Sequence, residues 1–388
     1  MSFMSADWCV ILSGKEHAVK ICFTGGGTAG HIMPALAVME EIRSRNPACD
    51  FLWIGRYSPQ ERKLVEEAGC RWYGICAGKW RRYASLRNFF DVFQVLAGFF
   101  QSLYVLRRER PSVVFSKGGF VSVPPLWAAH LLGIPTITHE SDASPGLATR
   151  LNAKAATYIC FPYERAACAL KEKYSEKIRV TGNPVRRIFL TADASKGRAL
   201  LGLQEGEPLI VIMGGSQGAR QINNMIDACL PLLTEYGFVF HQRGKGNVRS
   251  GFNHERYMQL EFAGAELAHV LAAADVVISR AGAGALSEFT AMGKAMILVP
   301  LEENASRGDQ LLNARRMEKA GAAVVLSEDR ANSIHLMDTI QLLFSSDKET
   351  IRHMEAASVS MNVPDACGRL ADLILSCVRP DISDREGD

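Results

Sequence analysis

An α/β fold of two domains, each a parallel sheet covered by helices and facing the other across a cleft, is predicted by three observations. Short apolar strands alternate with helical stretches along the 388 residues, the pattern of βαβ units with both sheet faces covered. That length exceeds what one core usually serves. And two stretches, one in each half, share a grammar: an apolar strand, a glycine-dense turn, then a helix start. The first runs Ile21-Cys22-Phe23 into Thr24-Gly25-Gly26-Gly27-Thr28-Ala29-Gly30-His31, the second Leu209 to Met213 into Gly214-Gly215-Ser216-Gln217-Gly218. Glycine admits φ > 0 and lets a ligand approach the main chain. The helix start beyond it offers unpaired N–H groups and a positive dipole end, which suits phosphate.

In chain order, strands are expected at 20–23, 50–54, 112–115, 136–138, 158–160 and 178–180, with helices at 34–45, 61–68, 86–108, 124–132 and 147–151. The second half repeats the pattern, with strands at 209–213, 238–241, 276–279, 295–299 and 323–326 and helices at 217–233, 267–273, 284–292 and 309–320. Thr181-Gly182-Asn183-Pro184 breaks regular structure and marks the join. This divides the chain into an extension over 1–18, a first domain over 19–184 and a second over 185–365. The apolar run Cys9-Val10-Ile11-Leu12 is too short for a signal peptide or a spanning helix.

The net charge of +3 conceals an asymmetry: residues 1–184 hold 23 Lys and Arg against 15 Asp and Glu, and the remainder holds 21 against 26. A basic half suits an anionic surface. The ten cysteines form no C-x-x-C pair and no Cys/His group with zinc spacing, so a reducing cytoplasm and no metal site are expected. Residues 78–110 stand apart. Phe89, Phe93, Leu96, Phe100 and Leu103 fall on one helical stripe, which fits a helix packed on the sheet. Yet Trp80, Tyr83, Leu86 and Phe90 lie beside Arg81, Arg82 and Arg87, the mixture that meets anionic lipid. Asp91, Gln94 and Gln101 interrupt the run, so it does not span a bilayer.

Gly25-x-Gly27-x-x-Gly30 matches a dinucleotide fingerprint. The acid that should end the second strand is absent, however, because Trp53-Ile54-Gly55-Arg56 stands there, and an oxidoreductase is disfavoured. His31, closing the glycine turn, is a candidate base by its ordinary pKa. Gly118-Gly119-Phe120-Val121-Ser122 and His139-Glu140-Ser141-Asp142 follow strands and belong at a ligand crevice. Glu288, one turn into a helix, is placed to accept both hydroxyls of a ribose. Asp309 and Gln310 open another helix and suit a sugar.

Together these motifs resemble the MurG family, the bacterial N-acetylglucosaminyltransferases that complete lipid II in peptidoglycan synthesis. The resemblance rests on Gly25 to His31 with Pro34, Gly118 to Ser122, His139-Glu140 with Pro145-Gly146-Leu147, and Gly182-Asn183-Pro184-Val185-Arg186. It continues through Gly214 to Arg220, Arg280-Ala281-Gly282-Ala283 to Glu288, and Gln310 with Asn313-Ala314. They occur in family order over roughly 20–375. The resemblance implies a GT-B fold, two Rossmann-like domains with a final helix (about 366–377) crossing back to the first. It implies an inverting hexosyltransferase without cofactor that moves GlcNAc from UDP-GlcNAc to the MurNAc C4 hydroxyl of lipid I.

On the donor side it implies Thr28, Gly30, Arg186, Gly215, Ser216, Gln217, Ala263, Glu288, Asp309 and Gln310. On the acceptor side it implies Gly26, Gly27, Gly118, Gly119 and Asp142, with His31, Asp142 or Glu140 as base. Trp80, Arg81, Arg82, Tyr83 and Phe90 would meet the cytoplasmic face of the bacterial membrane, peripherally, and proteins of wall synthesis and division would be partners; no nucleic acid is expected. Asp142 stands where the family commonly has Asn, and Asp309 where it often has Gln. A different GT-B sugar transferase, a UDP-GlcNAc 2-epimerase and a non-catalytic nucleotide-sugar binder are the rival readings. The epimerase is disfavoured by the acceptor-type turns, the binder by His31.

Overall fold

The computed structural model describes residues 19–27, 29–78, 86–215, 218–251, 254–301, 308–345 and 348–378. The anticipated 1–18 extension lies outside them. The first unit runs β1 (Lys20–Thr24), α1 (Ala29–Arg45), β2 (Asp50–Arg56), α2 (Pro59–Glu67), β3 (Arg71–Ile75), α3 (Leu86–Glu109) and β4 (Val113–Ser116). It continues α4 (Val123–Leu131), β5 (Thr136–His139), α5 (Leu147–Ala155), β6 (Tyr158–Phe161), α6 (Glu164–Tyr174) and β7 (Ile178–Val180). The second runs α7 (Arg187–Leu190), α8 (Ala194–Leu201), β8 (Leu209–Met213), α9 (Arg220–Tyr236), β9 (Phe238–Gln242), β10 (Tyr257–Leu260), α10 (Leu267–Ala273) and β11 (Val276–Ser279). Then come α11 (Ala283–Ala291), β12 (Ala295–Leu298), α12 (Asp309–Lys319), β13 (Ala323–Val325), α13 (Ser333–Phe344), α14 (Glu349–Met361) and α15 (Ala366–Ser376).

The strands form two sheets, ordered β3-β2-β1-β4-β5-β6-β7 and β10-β9-β8-β11-β12-β13, all pairs parallel. Each order reverses direction between its first strand and the neighbour on the other side: between β1 and β4, and between β8 and β11. Such switch points open a crevice at the carboxyl ends of the strands. The glycine turns follow these four strands. Registers Thr24↔Ser116 and Met213↔Ser279 bring the paired strands to their ends at one level.

Central strands are buried on both faces, so they read as unbroken apolar runs rather than alternations. Ile21 and Phe23 pack with α1, whereas Cys22 and Leu52 face the other side with Val105 and Leu126. Phe23 stacks on Trp53, rings 6.1 Å apart. Leu370, Ala371 and Ile374 of α15 belong to the same cluster as Ile21 and Ile32, so the last helix is part of the first unit's core.

The strands β3 and β10 and the helices α6, α7, α8, α13 and α14 escaped the sequence reading. The two strands are sheet edges whose half-exposed side chains give no apolar run. Helix α1 begins at Ala29, ahead of the expected Pro34, which sits inside it and has no N–H for the Gly30 carbonyl. The packed-helix reading of α3 holds for one side only. Gly98, Ser102, Val105 and Leu106 are buried, but Phe93 and Leu96 are exposed, as are Phe100 (63%) and Tyr104 (66%). Among the described residues no helix is long and apolar enough to cross a membrane.

Truncating a fully buried leucine costs roughly 2–5 kcal/mol. Leu370→Ala should therefore destabilise the first unit by that amount in urea unfolding. A loss below about 1 kcal/mol, a surface-like value, would remove α15 from that core.

Candidate active site between the two sheets

The turn after β1 and the turn after β4 lie back to back. A Cβ on Gly119 would sit 2.7 Å from the Gly26 carbonyl oxygen, and Gly119 has φ +80°, so only glycine fits there. His31 stands on the first turn of α1, half-buried, beside this junction. Its Nδ1 lies 3.2 Å from the Lys117 carbonyl oxygen. A carbonyl can only accept, so Nδ1 carries the proton of the neutral ring and Nε2 keeps the lone pair. Nε2 is the nitrogen that faces Gly119, 3.5 Å from where its Cβ would be. Gly26, Gly27, Gly118, Gly119 and His31 are thus one cluster.

One part of the phosphate reading is corrected here. The Gly27 amide donates to Glu61 Oε1 at 3.2 Å, and Arg56 Nε donates to the same oxygen at 2.7 Å. Ser58 caps α2, Pro59 follows, and Glu61 stands at the capping-box position. Its buried carboxylate turns instead to the glycine loop and occupies an N–H that phosphate was expected to meet.

Glu140 is also corrected. Its Oε1 accepts from the Ser141 and Asp142 amides and its Oε2 from the Gly146 amide and the Thr149 hydroxyl. A carboxylate holding four donors organises the 140–149 loop and has no lone pair positioned for a substrate proton. Asp142 is the acid that reaches the cleft: Asn313 Nδ2 of α12 lies 3.4 Å from its Oδ1. The Ala143 amide donates to Asn313 Oδ1 and the Ser144 hydroxyl to Asp309 Oδ1, so this loop joins the two units.

Lys117, between β4 and the Gly118-Gly119 turn, was missed by the sequence reading. It is 1% exposed and its ammonium bonds the Ser141 hydroxyl. Burial pulls it down to about 8, against the raising pull of Glu140 and Asp142. No sequence signal separates such a lysine from a solvated one. Next to it, His139 Nε2 donates to the Gly182 carbonyl at 2.8 Å, and burial holds His139 well below the usual histidine range.

On the facing edge, Arg186 donates through Nε and Nη2 to Glu288 Oε1 at 3.3 and 3.2 Å, and stacks on Phe189. Burial pushes Glu288 up to about 7 although Arg186 opposes it. Gly215 has φ +80° and open space around it. Gln310 Oε1 accepts the Leu301 amide, and the Ala263 amide donates to Gln242 Oε1, so neither group is idle. Gly30 is exposed on α1. Thr28, Ser216, Gln217, Trp80, Arg81, Arg82 and Tyr83 lie outside the described residues, as does the Phe90 side chain.

The shift at Lys117 is a stability statement. Between its folded value of about 8 and the ordinary 10.5 the unfolded chain binds more protons, so stability rises with pH across that window. Wild type should gain on the order of 3 kcal/mol relative to Lys117→Met between pH 8 and 10.5. Parallel denaturation curves for the two proteins over that range would refute it.

Residues 21–161 match the glycosyltransferase family 28 N-terminal domain and residues 209–370 its C-terminal domain. A UDP-N-acetylglucosamine–N-acetylmuramyl-(pentapeptide) pyrophosphoryl-undecaprenol N-acetylglucosamine transferase of Treponema pallidum is 42% identical over 374 residues, 94% of this chain and 97% of its own. A protein of the same name from Clostridium kluyveri is 39% identical over 92% of this chain and 98% of its own. The fold is shared with Acinetobacter baumannii MurG (TM-score 0.69, 24% identity, 92% of this chain and 99% of that one). It is shared too with the calicheamicin glycosyltransferase CalG4 (0.66, 15%, 93% and 98%) and with S. aureus MnaA bound to UDP (0.65, 15%, 92% and 95%). Two GT-B sheets, the turns at their switch points and this near-full-length identity place the chain in the family of MurG N-acetylglucosaminyltransferases.

Proposed function

We propose that this chain transfers GlcNAc from UDP-GlcNAc to the C4 hydroxyl of MurNAc in lipid I, inverting the anomeric centre and giving lipid II. The near-full-length match to relatives named for this transfer carries the reading. UDP release from UDP-GlcNAc, with and without a lipid I analogue, tests it: acceptor-independent release only, or none, would overturn it.

In this reading the edge of the second sheet takes the donor. The Glu288 carboxylate leaves Arg186 to accept the ribose diol, and the turn at Gly214 to Gly218 with the α9 start faces the diphosphate. Asp309 and Gln310 turn to the GlcNAc hydroxyls. The first sheet's edge takes the acceptor, with Gly118 and Gly119 beside the pyrophosphate. His31 Nε2 removes the C4 proton as that oxygen attacks the anomeric carbon. The leaving UDP is stabilised by helix-end N–H groups. Asp142 is the second base candidate, and its contact with Asn313 favours a role in aligning the two halves. The exposed Phe93, Leu96, Phe100 and Tyr104, with exposed Arg107 and Arg108 at the end of the same helix, support peripheral binding to the cytoplasmic face of the membrane.

Two variants separate the half-sites. Glu288→Ala should weaken UDP-GlcNAc by roughly 1.5–3 kcal/mol, the scale of lost charged hydrogen bonds. Because the diol needs the ionised form, wild-type affinity should be about tenfold weaker at pH 6 than at pH 8. Calorimetry showing neither effect removes Glu288 from the donor site. His31→Ala should lower turnover roughly 10²–10⁴-fold with donor affinity nearly intact. If it changes only the acceptor KM, the base is Asp142.

Membrane binding is read by co-sedimentation with anionic vesicles. Phe100→Glu and added salt should each reduce it, because insertion and charge both contribute, each basic group by about 1 kcal/mol. Equal binding to neutral vesicles, or indifference to Phe100→Glu, would count against the α3 face.

A further inference from the structure

Behind the Asp142–Asn313 contact the cleft continues into a small cavity of about 40 Å³ between the units. Ser141, Tyr163 and Asn183 line it from one side, Ser287, Asn313 and Arg316 from the other, and no Asp or Glu is among its lining residues. Arg316, on α12, is half-buried, and its guanidinium carbon lies 3.7 Å over the ring of Tyr163, which precedes α6. Among the described residues no carboxylate pairs with it and no protein acceptor takes its N–H groups. Every other half-buried arginine singled out above, Arg186 included, has a partner of one kind or the other.

A desolvated cation without a counter-ion is costly. Stacking on Tyr163 recovers part of that cost through the face of the guanidinium. It leaves the N–H edge, whose fork matches a carboxylate or phosphate. Burial pulls Arg316 below its ordinary value, as expected for a charge that the protein itself does not neutralise. A second observation specifies more of the ligand. Asn183 donates through Nδ2 to the Ser141 carbonyl, but its buried Oδ1 accepts nothing. An orphaned acceptor and an unpaired cation on residues that line one cavity call for an oxyanion that also carries an N–H or O–H.

We propose that this cavity is an oxyanion seat, in which Arg316, held flat against Tyr163, binds a carboxylate or phosphate that donates a hydrogen bond to Asn183. Tyr163 and Arg316 come from different sheets, so an occupant bridges the two units and favours their closed arrangement. Two sources have this chemistry: a free small anion such as monohydrogen phosphate, or a carboxylate of the peptide on the acceptor. Only the second rests on the proposed reaction.

The test titrates inorganic phosphate, at constant ionic strength, into protein saturated with UDP so that the donor site is filled. Phosphate should raise the unfolding midpoint saturably. Arg316→Met should weaken it roughly 10–100-fold, the scale for losing a charged hydrogen-bond partner, and Arg316→Lys should fall between. A kinetic arm compares lipid I analogues with a free and an amidated peptide terminus, the wild-type rate reporting separately on the proposed reaction. If Arg316→Met raises KM for the free-carboxylate analogue alone, the acceptor is the source. If phosphate binds through Arg316 and neither KM changes, the source is a free anion. Equal phosphate binding by wild type and Arg316→Met, or no phosphate effect together with no KM difference, overturns the seat.

Discussion

The two sheet edges that carry the glycine turns can face each other because the chain crosses between the sheets twice at one point, and that point is Gly182. Its φ is +84°, and a Cβ there would lie 2.9 Å from both Val363 and Ala366 on the returning segment. Any other residue would have to push the two crossings apart. The Gly182 carbonyl accepts from His139 at the end of β5, and the neighbouring Asn183 amide donates to the Ser141 carbonyl. Cys367 on the return reaches the Val185 carbonyl. The hinge is therefore bonded directly to the loop that carries Asp142. Movement of one unit on the other must be felt at the site.

That coupling gives the buried charges their meaning. Lys117 sits under the Gly118-Gly119 turn with Glu140 and Asp142 as its counter-charges, in a place where water is excluded. An ammonium so placed is held only while both acids stay near. Glu140 in turn spends its four acceptor directions on its own loop. The result is a preorganised edge: the backbone of the loop, not a free carboxylate, is what the buried acid supplies. Preorganised dipoles need no rearrangement when charge develops.

The facing edge is arranged differently. Glu288 is neutralised in part by Arg186 and in part by a raised proton affinity. Asp309 and Ser144, Asn313 and Ala143 meet across the gap. Asp309, read as a sugar contact, is thus satisfied by Ser144, as buried polar groups must be.

The class of fold, the parallel sheets and the four glycine turns were legible in the sequence because they are local. A buried parallel strand needs an apolar run, and a close approach needs glycine, whatever lies elsewhere in the chain. Edge strands β3 and β10 were not legible, because half-exposed strands have no such constraint. The exposed face of α3 was open to two readings, since a 3.6-residue period says which residues share a face and not what covers it. Candidate residues were found where they stand beside a glycine turn, as His31, Gly119 and Glu288 do. What each does was decided by partners far away in sequence: Glu61 on Gly27, Lys117 under Ser141, Asn313 on Asp142, Tyr163 under Arg316. Sequence by itself determined the strands, the turns and the chemistry available at their ends. Only the tertiary structure decided which carboxylate is occupied, which cation is buried and which is unpaired, because hydrogen-bond satisfaction and desolvation depend on the groups that folding brings within a few ångströms.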